Sequence, residues 1–143
     1  MKKLLLIALF ILSIRSIAQN SGDVIMEWNT KTALQYGSKT INIPQFRGQA
    51  YIYDASAKAV FYSDKITPTT TFDDYTVQLS NIVYEPISSN ELRDLTLDNL
   101  PNNPNAFVRT NRSRNTTETF LTVSPIIKDE SGIRRITSFS YQI

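Results

Sequence analysis

Apolar and polar residues alternate with period two along most of this chain, which is the pattern of strands with one face buried. From Asp23 to Thr30, Val24, Met26 and Trp28 alternate with Glu27 and Asn29, while Ile25 falls out of phase. In "KTINIPQF", Ile41 and Ile43 share a face ahead of Pro44, whose missing N–H confines the segment to a sheet edge or a strand end. "QAYIYD" and "AVFYSD" predict a hairpin whose loop is Ala55 to Lys58. Beyond the Thr-rich connector "ITPTTTFDD", the run Tyr75, Val77, Leu79 occupies one face and Ile82 and Tyr84 the other. A slip of one residue exchanges faces, so this phase change predicts a bulge near Ser80 and Asn81.

One segment carries helical marks. In "SSNELRDL", Ser88 and Glu91 have the spacing of a capping box, and Leu92 and Leu95 fall on one side. The prolines and asparagines of "LPNNPN" end it. Strands are then expected over 106–114, 116–127 and 133–143, with "KDESG" placing Gly132 where an antiparallel hairpin needs a positive φ. In the last strand Ile133, Thr137, Phe139, Tyr141 and Ile143 form one face, and Arg134, Ser138, Ser140 and Gln142 the other. The fold class expected is mainly β: an antiparallel β-sandwich or jelly-roll-like domain with one short helix.

The first residues do not fit that alternation. Lys2 and Lys3, the apolar run Leu4 to Leu12, and Ser16, Ile17, Ala18 are the three parts of a secretory signal peptide over 1–18. Arg15 interrupts the run short of the roughly 20 apolar residues needed to span a bilayer. Residues 19–143 then form one domain of an exported protein that is not itself membrane-spanning. Cleavage also changes the charge: of 15 basic residues, Lys2, Lys3 and Arg15 leave with the signal, so 12 remain against 13 acidic ones, a net charge of −1. Nucleic acid is therefore not an expected partner.

Cysteine and histidine are both absent. Without them there is no disulfide, no thiol nucleophile, no cysteine for a lipid anchor and no imidazole base, so triad and Cys-His chemistry are excluded within this chain. No cofactor is expected. Glu27, Glu85, Glu91 and Glu118 are candidates by type for a glycosidase pair, but solvated strand edges and a helix cap account for them. Asp73 and Asp74 lack the acidic spacing of a calcium loop. Gly22, Gly37, Gly48 and Gly132 are too scattered to cradle a phosphate.

Arg109, Arg112 and Arg114 make the strongest local basic feature and the candidate partner surface, with Arg112 and Arg114 on one face of an extended strand. The ordinary alternative is an edge strand protected by charge. Asn111 and Asn115 open Asn-x-Ser/Thr sequons. Tyr51 and Tyr53, if exposed together, would suit sugar rings; packing in the core is their simpler role.

The order of "MEWN", "INIPQF", "YIYD", "IVYEPIS", the leucine turn before "LP", "FLTVSPII" and "GIRRITSFSYQI" behind a signal peptide resembles the N-terminal region of the PorU family. These are the gingipain-like cysteine peptidases that act as sortase, or C-terminal signal peptidase, of the type IX secretion system in Bacteroidetes. The resemblance implies that the chain is an N-terminal fragment, continuing into further β structure and a caspase-like catalytic domain that supplies the histidine and the cysteine. It implies a prodomain-like β region packed against the catalytic domain of the same parent chain. The parent would cleave sorting domains from cargo and attach the cargo to lipopolysaccharide, between periplasm and cell surface, beside outer-membrane components such as PorV. A standalone exported module binding carbohydrate or a surface partner, and a purely structural envelope protein, remain open as alternatives.

Overall fold

The computed structural model describes residues 20–29, 32–67 and 77–143. The signal expected over 1–18, most of the Thr-rich connector, Asp73, Asp74 and Tyr75 lie outside them. The described residues form ten strands: β1 (Ser21–Ile25), β2 (Ala33–Tyr36), β3 (Lys39–Asn42), β4 (Tyr51–Asp54), β5 (Ala59–Ile66), β6 (Gln78–Pro86), β7 (Ala106–Arg112), β8 (Thr117–Val123), β9 (Ile126–Asp129) and β10 (Gly132–Gln142). The first sheet is built on β10, with β1 on one side and β6 on the other, and β9 pairing with the start of β10. The second sheet has the order β4-β5-β8-β7, and β2-β3 forms a separate hairpin. Every pairing is antiparallel, as the short alternating segments and tight turns require.

The two sheets share one core. The first contributes Ile126, Ile136 and Phe139, the second Val60, Tyr62, Leu121 and Val123, and Met26, Ile43 and Phe46 fill the space beside them. Phe46 lies at the centre of an aromatic cluster, with ring centroids 4.6 Å from Trp28, 6.2 Å from Tyr51 and 6.0 Å from Tyr62. The Trp28 indole N–H donates to the Ile136 carbonyl oxygen at 2.8 Å, so the half-buried ring keeps its one donor satisfied. Two ion pairs brace the start of β10: Arg134 with Asp129 and Arg135 with Glu85. Their guanidinium groups also lie over the Tyr84 and Trp28 rings, at 4.5 and 5.1 Å from the centroids.

The expected bulge is present. Between Val83 and Ser80, β6 carries more residues than β10 does between Ser138 and Ser140, and Asn81 takes φ +50°. The bulge resets the phase, so that Leu79 before it and Ile82 and Tyr84 after it all pack on the core. The β4-β5 hairpin also follows the sequence. Its turn is held by the Asp54 carboxylate, which accepts from the Ser56 N–H, the Ser56 hydroxyl and the Ala57 N–H at 2.8, 2.6 and 3.0 Å. Gly132 has φ +107° at the β9-β10 turn, as anticipated.

Three expectations need correction, and one strand was not anticipated. The strand expected over 116–127 is two strands, β8 and β9, in different sheets. Pro125 has no N–H for a ladder, and Ser124 turns the chain by bonding Asn105 through both its N–H, at 2.8 Å, and its hydroxyl. In β10 a second bulge at Thr137 interrupts the single alternation: Ile136 pairs with Tyr84 and Ser138 with Val83. Ile136, which belonged to neither expected face, is thereby fully buried. The short helix is a 3₁₀ turn, Ser89–Leu92, followed by another at Leu97–Asn99, because the segment is too short to complete an α-helical hydrogen-bond pattern. Its box is real: the Glu91 carboxylate accepts from the Ser88 N–H and hydroxyl at 2.8 and 3.0 Å, and Leu92 and Leu95 are buried. Strand β2 had no clear signal in "ALQY"; it forms because Gly37, at φ +61°, turns it back onto β3.

Candidate partner interface

Strand β7 is an edge, paired only with β8, and it carries two of the three candidate arginines. Its register places Ala106 opposite Val123, Val108 opposite Leu121 and Arg112 opposite Thr117, all with core-side parity. Phe107, Arg109 and Asn111 therefore project from the other, outward face, opposite Thr122, Phe120 and Glu118. Arg109 and Arg112 thus have opposite parity on the strand. Arg114 lies beyond the end of β7, in the turn closed by the Ser113 N–H donating to the Thr116 carbonyl oxygen at 2.8 Å. The expected sharing of one strand face by Arg112 and Arg114 is not what the structure shows, because the strand ends between them. All three side chains are exposed, and Asn111 and Asn115 are exposed beside them.

The outward face of this second sheet has a composition that the arginines alone do not announce. Registers across β4, β5, β8 and β7 align Ile52 with Phe61, Ser63 with Thr122 and Phe107, and Lys65 with Phe120 and Arg109. Ile52, Phe61, Phe107 and Phe120 thus stand on the side opposite the core, and none belongs to the core cluster. An antiparallel sheet with one face in water ordinarily keeps that face polar. Here large apolar side chains surround small buried hydroxyl residues, Ser63 and Thr122 at 5% and 2% exposure. The Thr122 hydroxyl is buried without a hydrogen-bond partner. Phe107 is 39% exposed. Lys65 and Glu118 form an ion pair at 2.8 Å on the same face.

This face escaped the sequence reading, although its signal was present. "VFYS" and "TFLT" place apolar residues at both parities of their strands, Phe61 beside Tyr62 and Phe120 beside Leu121. A strand with one solvated face alternates; these do not.

The other candidates have structural duties. Glu85 is paired with Arg135, Glu118 with Lys65, and Glu91 with Ser88. The backbone and hydroxyl of Ser88 hold the Glu91 carboxyl below its ordinary value. Glu27 contributes a backbone N–H to the Gln49 side chain. Tyr51 and Tyr53 pack against the core from β4, which removes them as a sugar platform; Tyr53 meets the exposed Tyr36 ring edge-on at 5.5 Å. Among the described residues no group of three or more acidic side chains is placed to hold a metal ion, and no helix is long and apolar enough to cross a membrane.

No protein-family model matches the chain. No curated protein matches it either. Among solved structures it is similar to the complex of Porphyromonas gingivalis RgpB pro- and mature domains, at 10% identity and a TM-score of 0.45, over 87% of this chain and 78% of that one. A likeness of this degree establishes neither family nor activity.

Proposed function

We propose that this chain is the non-catalytic N-terminal β domain of a gingipain-like type IX secretion sortase, supporting cleavage of C-terminal sorting signals and attachment of cargo at the cell surface. The secretion assignment rests on the ordered motifs from "MEWN" to "GIRRITSFSYQI". The observation that carries the docking role is the apolar outward face of the second sheet, where Ile52, Phe61, Phe107 and Phe120 lie outside the core. Phe107 is the exposed member and the other three are half-buried, and an exposed ring amid apolar neighbours suits an interaction surface better than a solvated sheet. The chain holds no histidine or cysteine, so in this reading it does no peptide cleavage and acts by packing against the catalytic domain of its parent, with outer-membrane components such as PorV nearby.

The test is deletion of residues 23–143 from the parent protein with its signal retained. Cargo should then accumulate with its sorting domain uncleaved; normal cleavage at normal parent abundance would overturn the role. Translation of the downstream coding sequence provides a second check. The reading requires an open frame encoding a histidine and a cysteine nucleophile, whereas a stop codon after Ile143 would leave the standalone module.

A further inference from the structure

We infer that the outward face of the β4-β5-β8-β7 sheet, centred on Phe107 and Phe120 and edged by Arg109, is the docking surface, and that the partner it fits is an acidic protein segment carrying apolar side chains. The inference deepens the proposed docking role and rests on it for the existence of a partner; the surface and its chemistry come from the geometry alone.

Registration fixes the centre. Phe120 on β8 lies between Lys65 on β5 and Arg109 on β7, and the next row on that face sets Thr122 between Ser63 and Phe107. In that second row Ser63 and Thr122 are themselves buried, so the part of the face open to a partner is Phe107 at the β7 edge with Arg109 beside it. Aromatic anchors beside an arginine are the residue types that dominate protein interfaces energetically.

Charge chooses the partner. Four charged residues have this parity: Asp54, Lys65, Glu118 and Arg109. Lys65 and Glu118 neutralise one another. Asp54 is on β4, at the opposite edge of the sheet from β7, and its carboxylate is engaged by the Ser56 hydroxyl and the N–H groups of its own turn. Arg109 remains, exposed and with no ion pair among the described residues, and Arg114 adds a second exposed cation at the same edge. The β7 side of the face is therefore positive, which favours an anionic partner and speeds its approach. A second copy of this chain presented through the same face brings Arg109 and Arg114 where carboxylates are wanted.

The experiment is an amide chemical-shift titration of the isotopically labelled exported chain with three probes: a peptide of alternating glutamate and phenylalanine, its lysine-phenylalanine counterpart, and inorganic phosphate. The acidic peptide should shift the amides of 107–109 and 118–122, with affinity falling as salt is raised. Phe107→Ser and Arg109→Glu should each weaken it about tenfold. Both positions are exposed, so a dispersed spectrum is expected of each variant, and Arg109→Gln is the milder substitute if one fails to fold. Equal binding of the basic peptide, shifts confined to other strands, the same shifts with phosphate alone, or sedimentation as a dimer that Phe107→Ser dissociates would each overturn the inference. The two failures are separable: loss of cargo cleavage on deletion with no localised peptide binding removes this surface only, and localised binding with undisturbed cleavage removes the sortase role only.

Discussion

The rings of Tyr62 and Phe139 meet edge to face across the gap between the two sheets, their centroids 5.8 Å apart and their planes 85° apart. Tyr62 comes from β5 and Phe139 from β10, and both are almost wholly buried. This contact joins the layers. Phe139→Ala should cost about 3–5 kcal/mol, the range for removing a buried aromatic ring, measured by urea denaturation. A loss near zero would show that the layers are held elsewhere.

Burial pushes the Tyr62 phenol well above its ordinary value, with the Asp64 carboxylate adding to the shift, and burial raises Tyr51, Tyr84 and Tyr141 in the same direction. A raised folded value means that the stabilisation is complete below the unfolded tyrosine value of about 10 and is lost as pH rises through the folded one. The denaturation midpoint should hold steady to about pH 9 and then fall. Tyr62→Phe should flatten that fall. An unchanged slope would assign the alkaline loss to other groups.

Acid acts on different residues. The Ser56 hydroxyl and the Ala57 and Ser56 N–H groups lower Asp54, and the Ser88 N–H and hydroxyl lower Glu91. Depressed folded values stabilise above the unfolded carboxylate range, about pH 4, and that contribution disappears as pH falls through the folded values. Asp54→Asn and Glu91→Gln should each be less stable than the parent at neutral pH, and the difference should shrink on acidification. Circular dichroism melts at neutral and low pH decide it; a gap that stays constant with pH would contradict the assignment.

Thr122 carries a buried hydroxyl with no partner. Thr122→Val keeps the branched shape and removes the desolvated group, and should raise stability by about 1 kcal/mol. A drop instead would mean that an ordered water satisfies the hydroxyl in solution.

Much of this fold was legible because the signals were local. The Asp54 turn, the Gly132 turn and the phase change at Asn81 each follow from a handful of neighbouring residues. What was hidden depended on distant partners. "ALQY" is a strand only because Gly37 folds it against β3, and "FLTVSPII" divides between two sheets only because Ser124 finds Asn105. Ile136 enters the core through a bulge whose cause is the pairing with β6. At the candidate interface, Arg109 was visible as charge, whereas its aromatic neighbours were hidden. Phe107 and Phe120 become one surface only after β7 and β8 are registered, and apolar residues read singly are assigned inward by default.

The Ser140 hydroxyl donates to the Asp23 carboxylate at 2.6 Å, across a separation of 117 residues. It stands for the whole of the β1-β10 pairing, in which the two strands lie far apart along the chain. Until the stretch from Gly132 onward has been synthesised, β1 and β6 have no common neighbour to zip onto, whereas β4, β5, β7 and β8 already have theirs. Folding should therefore be slow and two-tiered, with the second sheet assembling early and the first waiting on loop closure. During that wait the edges of β1 and β6 are bare and open to mispairing.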